Sequence, residues 1–74
     1  MSDDPPLTVT LRGDRITLAQ ALKAAGLAGS GAQAKHLVRG GTVNVNGAVV
    51  TQPGRQLRAG DRFGITGGAE WTIA

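Results

Sequence analysis

Ten consecutive residues, Val38 to Gly47 ("VRGGTVNVNG"), restrict the fold of this chain more than any other stretch. A helix-compatible run stops at Gly40-Gly41. A strand with valines at alternate positions, Val43 and Val45, starts at once and runs into Asn46-Gly47. Asn-Gly beside alternating apolar residues is the strongest short-range hairpin signal, because both residues accept the positive φ that a two-residue turn demands. Helix and hairpin are thus joined with no linker between them.

The same punctuation organises the rest. Leu7–Leu11 ("LTVTL") alternates apolar residues with threonine, the period of a half-buried strand, and Gly13-Asp14 follows as a turn. In "TLAQALKAAG", Thr17 and Gln20 have the spacing of a capping box, and Gly26 is a C-terminal stop. Leu18, Ala21, Leu22 and Ala25 fall on one face of that helix. Ser30 and Gln33 repeat the capping-box pattern before a second helix that ends at Gly40. Ala34, Leu37 and Val38 form its inward stripe, while Gln33, His36 and Arg39 face outward with Lys35 at the margin. So short a helix takes its position from packing rather than from propensity.

After the hairpin come a "QPGR" turn, a strand "LRAGDRFGI" punctuated by Gly60-Asp61, and a Gly67-Gly68 turn. The last strand, "EWTI", is suited to pair with the N-terminal one. The order β–α–α–β–β–β–β predicts an α+β fold, two short helices packed on a small, mostly antiparallel sheet. Its 74 residues suffice for one domain, expected over 7–74 behind a flexible leader at 1–6. A chain of this size buries only about 60% of its unfolded surface, so its core is modest.

Composition excludes several classes of function. There is no cysteine, hence no disulfide framework and no cysteine-ligated zinc, and one histidine with five carboxylates leaves little for any metal. The acidic, proline-rich "MSDDPP" is the opposite of a signal peptide, and no apolar run approaches the ~20 residues needed to span a bilayer. A soluble, cytoplasmic protein is expected. The net charge of +3 is unevenly spread: between Asp14 and Asp61 there is no carboxylate, while Lys23, Lys35, Arg39, Arg55 and Arg58 fall inside that stretch. A purely cationic middle attracts polyanions, nucleic acid first among them.

Catalysis by this chain alone is not expected. His36 has no acid near it in sequence, Ser30 stands where an N-cap belongs, and the position of Asp61 in Ala-Gly-Asp-Arg is explained by turn chemistry. "GLAGSGAQAK" fails as a phosphate loop, since Ala32 and Gln33 follow its last glycine in place of Lys-Ser or Lys-Thr. The basic residues lead further. Lys35 and Arg39 are four apart on one helical face, and Arg55 and Arg58 flank the strand beyond the hairpin. Folded back beside the second helix, the hairpin brings these four cations to one surface. One Trp, one Phe and no Tyr offer little for base stacking, which favours recognition of structured RNA by shape and backbone.

"SGAQAKHLVRGGTVNVNG" followed by "GRQLRAGD" resembles the S4-type RNA-binding domain, also called the αL RNA-binding motif. The matching positions are Ser30, Gly31, Ala34, Val38, Gly41, Val43, Val45, Asn46, Gly47, Gly60 and Asp61, within a core of residues 16–65. The family's domain usually rides on larger proteins: a small-subunit ribosomal protein, pseudouridine synthases, tyrosyl-tRNA synthetases and a ribosome-associated heat-shock protein. This chain looks like the small standalone bacterial members, thought to act on ribosomal or transfer RNA. It departs from many members at Gly31, where they carry arginine.

The resemblance implies an L-shaped helix–hairpin platform for structured RNA, ribosomal or transfer, possessed by a monomer that needs no cofactor, metal, membrane or small-molecule substrate. A ribosomal subunit is the larger partner it suggests, and ribosome assembly, translation or quality control the setting. The expected RNA-binding residues are Ser30, Gln33, Lys35, His36 and Arg39 on the helical side and Arg55 and Arg58 on the far side, with the cations on phosphates and Gln33 and His36 on sugars or bases. Asn46 is expected mainly as a turn residue. A protein-interaction adaptor, docking through this surface or the Trp71 region, is the alternative. A β-grasp sulfur carrier fits poorly, because Gly67-Gly68 is internal and the chain ends Thr-Ile-Ala.

Overall fold

The computed structural model of the chain describes residues 7–74; the leader assigned to residues 1–6 lies outside them. In chain order the elements are β1 (Thr8–Val9), β2 (Ile16–Thr17), α1 (Leu18–Ala24), α2 (Gly31–Arg39), β3 (Val43–Val45), β4 (Ala48–Val49), β5 (Gln56–Leu57), β6 (Arg62–Ile65) and β7 (Glu70–Ile73). Five strands form one sheet in the order β1-β7-β6-β3-β4, and β2 and β5 form a separate antiparallel pair. Only β1 and β7 run parallel, so the α+β reading of two helices with a mostly antiparallel sheet holds, and "EWTI" does pair with the N-terminal strand.

Local chemistry explains the elements. Thr17 caps α1 in a complete box, with Gln20 N–H donating to Thr17 Oγ1 (3.2 Å) and Thr17 N–H donating to Gln20 Oε1 (3.1 Å). The next N–H groups of α1 donate to the loop before β5: Leu18 to Arg55 O at 2.8 Å and Ala19 to Pro53 O at 3.1 Å. Helix-end donors that water would otherwise take are satisfied within the fold. Asn46 (φ 51°) and Gly47 (φ 85°) both hold positive φ in the β3–β4 turn.

The core lies between helices and sheet. Leu18, Leu22 and Ala21 of α1, Ala34 and Val38 of α2, and Val43, Leu57 and Phe63 of the strands are buried to 1% exposure or less. Both expected helix faces therefore point inward, with Leu37 half-buried. Val43 and Val45 share the buried face of β3.

Two expectations are corrected. "LRAGDRFGI" is not one strand: β5 and β6 belong to different sheets, separated by a turn in which Gly60 takes φ 97° and Asp61 N–H donates to Arg58 O (3.0 Å). The second capping box is only half formed. Ser30 Oγ accepts from Gln33 N–H (3.1 Å), but Gln33 Oε1 reaches back one residue further, to Gly29 N–H (2.6 Å).

Gly64 of β6 packs against the β6–β7 turn, where an added Cβ would collide with the Ala69 carbonyl oxygen. Gly64→Ala is expected to cost about 1–3 kcal/mol, an overpacking penalty. For a domain this small, the thermal midpoint should fall by at least about 4 °C. Gly54→Ala, with no neighbour within 4 Å of its Cβ position, is the control and should leave the midpoint nearly unchanged in the same circular-dichroism melt.

Candidate nucleic-acid interface

The candidate residues fall into two groups. On α2, the turn of 100° per residue sets Ala32, Lys35, His36 and Arg39 within an arc of about 100°. All four are exposed, opposite the buried Ala34 and Val38. Lys35 stands at one end of that arc, on the margin nearest the buried Val38. Gln33 stands at its edge with its carbonyl oxygen engaged by Gly29 N–H, and Ser30 Oγ is the helix cap. These two residues order the start of the helix as well as facing solvent.

The C-terminal end of α2 is fixed closely. Gly40 N–H donates to His36 O (3.0 Å), Gly41 N–H to Val38 O (3.1 Å) and Thr42 Oγ1 to Leu37 O (2.9 Å). Gly41, at φ 77°, makes the exit; Gly40 keeps an ordinary right-handed conformation. Lys35, His36 and Arg39 thus stand on a helix whose two ends are both anchored.

Arg55 and Arg58 form the second group, around Asp61. The Asp61 carboxylate accepts Arg58 N–H at Oδ2 (2.8 Å) and Asn46 Nδ2 at Oδ1 (3.2 Å). Asn46 in turn accepts Arg62 N–H at its own Oδ1 (3.0 Å), and its N–H donates to Arg62 O (2.7 Å). Both ends of the Asn46 amide are therefore occupied within the protein, as its turn role requires. The Arg58 N–H holds the Asp61 carboxyl below the usual carboxylate range, opposed by partial desolvation and helped by the Asn46 amide and the charges of Arg55 and Arg58.

The Asn46–Asp61 clamp escaped the sequence reading. Each residue carries a turn signal, but their pairing spans 15 positions and follows only from the β3–β6 register. Among the described residues the one ion pair is Arg62–Glu70, at 3.7 Å with both side chains exposed. Among the described residues, the α2 cations have no carboxylate within that reach. No hydrogen bond joins the α2 group to the Arg55–Arg58 group. Neither aromatic is an open stacking platform, since Phe63 is buried and Trp71 packs against the core. No three of His, Cys, Asp or Glu gather among the described residues, and no helix is long and apolar enough to cross a membrane.

Because folding lowers the Asp61 pKa, its contribution to stability is full above about pH 5 and is lost as pH falls through about 3.9 toward the folded value. Urea midpoints across this range should show the loss. Asp61→Ala should remove about 1–3 kcal/mol at pH 7 and flatten this part of the acid profile.

Comparison with known proteins adds one match. A family model described as the S4 domain matches residues 9–74, nearly the whole chain. No curated protein matches it significantly.

Proposed function

This chain belongs to the S4 domain family, whose members generally bind RNA, and we propose that it is a non-catalytic module for structured ribosomal or transfer RNA. The observation that carries this reading is the α2 stripe. Lys35, His36 and Arg39 are exposed together on a helix anchored at both ends, and among the described residues no carboxylate pairs with its cations.

Such a stripe suits a phosphate backbone. Lys35 and Arg39 neutralise phosphates, releasing counterions, and His36 with the free amide nitrogen of Gln33 reaches sugars or base edges. Arg55 and Arg58 extend the contact from the far side of the molecule's clamp. Without an open aromatic platform, recognition rests on the shape and backbone of folded RNA rather than on stacked single-stranded bases. Ribosome assembly, translation or quality control is the setting proposed for this binding.

Binding to a transfer RNA and to a ribosomal RNA hairpin, followed by fluorescence anisotropy, tests the reading. Lys35→Glu with Arg39→Glu should abolish binding and leave the thermal midpoint in place. Lys35→Ala should reduce the slope of log K against log salt by about 1. Undiminished binding by the double variant contradicts the proposal. Sedimentation of cell extract at low and raised salt separates the two RNAs. Co-migration with a ribosomal subunit, lost as salt rises, supports the ribosomal one, and a protein that stays at the top of the gradient excludes stable ribosome association and points to transfer RNA or a protein partner.

A further inference from the structure

Among the described residues the outer side of β1 is an open sheet edge: this strand ends the five-stranded sheet, and β7 is the one described strand beside it. Leu7, Val9 and Leu11 spend their backbone groups on that side: Thr72 N–H donates to Leu7 O (3.2 Å), Ala74 N–H to Val9 O (2.9 Å) and Leu11 N–H to Ala74 O (2.8 Å). With a period of two, the N–H and C=O groups of Thr8 and Thr10 point the other way. On that side lies a cleft of about 630 Å³, walled by β1 with its extension to Arg12 and, opposite, by Arg15, Ile16, Gln20 and Ala24.

The lining has two characters. Val9, Leu11 and Ile16 supply apolar surface and are themselves half-buried or buried. Arg12 and Arg15 supply charge, and Arg15 is held in place by donating from Nη1 to Gln56 Oε1 (3.0 Å). Asp14 lies between them in the sequence and is exposed, but it does not line the cleft. Thr8 Oγ1, also in the lining, is the one buried side-chain polar atom among the described residues without a hydrogen-bond partner.

We propose that this cleft takes an extended acidic segment of a partner protein, which adds as a strand to the outer edge of β1. A polypeptide backbone matches the alternating donors and acceptors of Thr8 and Thr10, and it leaves every second side chain free to face the apolar lining. Acidic side chains at the intervening positions meet Arg12 and Arg15. RNA fits this edge less well, since its phosphates only accept hydrogen bonds and its hydroxyl and base donors do not recur along the backbone with the alternation of a strand's amides. The surface shares no residue with the α2 stripe, so the proposal stands apart from the RNA reading.

The test is a ¹⁵N NMR titration of the full chain with acetyl-Glu-Val-Glu-Val-Glu-Val-amide. Shift changes should gather at residues 8–16 and on Gln20 and Ala24, and amide exchange at Thr8 and Thr10 should slow. Arg12→Glu should weaken binding about fivefold, the scale of an exposed charge contact. Thr10→Pro removes an edge donor and should abolish binding. N-methylation of alternate peptide amides tests the same edge without altering the protein, and should also abolish it. The proposal is overturned if the peptide leaves these resonances unmoved, or if its Lys-for-Glu counterpart binds equally well. It is equally overturned if RNA shifts the same residues more strongly, or if the edge closes by pairing between two copies of the chain as concentration rises.

Discussion

The arrangement rests on one clamp, the contact between Asn46 at the hairpin tip and Asp61 in the turn before β6. Asp61 ties the turn before β6 to Asn46, 15 positions earlier, and to Ile73 at the end of β7. Its side chain holds Asn46 and the Arg58 amide, and its carbonyl oxygen accepts Ile73 N–H at 2.8 Å. Gly60 N–H donates to Ile73 O beside it (2.8 Å). The tip of β3–β4, the start of β6 and the end of β7 are thereby fixed to one turn, and β1 follows through its pairing with β7. In a core made mainly of Val, Ala and Leu with a single phenylalanine, such polar ties supply geometric definition that packing alone would leave loose.

The clamp also determines where charge stands. Arg55 and Arg58 lie on either side of β5, and the loop that carries Arg55 seals the first turn of α1 through the Arg55 and Pro53 carbonyls. One turn thus orders the hairpin and positions two cations. The other cations depend on a different device, the capped and glycine-terminated α2. The clamp is a contact between distant positions and the capped helix a local motif, and together they let 74 residues hold a charged surface on so small a core.

Much of this was legible in the sequence because the signals were local. Thr17 with Gln20, Asn46 with Gly47, and the valines of β3 each encode their conformation within a few residues, and the structure follows them. What was missed is non-local or exchanges one acceptor for another. The β2–β5 pair needs Ile16 to meet Leu57, which no short window shows. Gln33 caps Gly29 in place of Ser30, because a flexible side chain can reach either amide. For the site, helical periodicity sufficed to group Lys35, His36 and Arg39. The open edge of β1 could be read only once β7 was known to occupy its other side.

The most direct test of the proposed RNA-binding surface is an NMR titration of the chain with a folded ribosomal RNA hairpin at low salt, repeated as salt is raised. The account predicts perturbations from Ser30 to Arg39 and from Arg55 to Arg58 that fade together with increasing salt, while residues 8–16 stay silent. Perturbations confined to residues 8–16, or none at low salt, would contradict it.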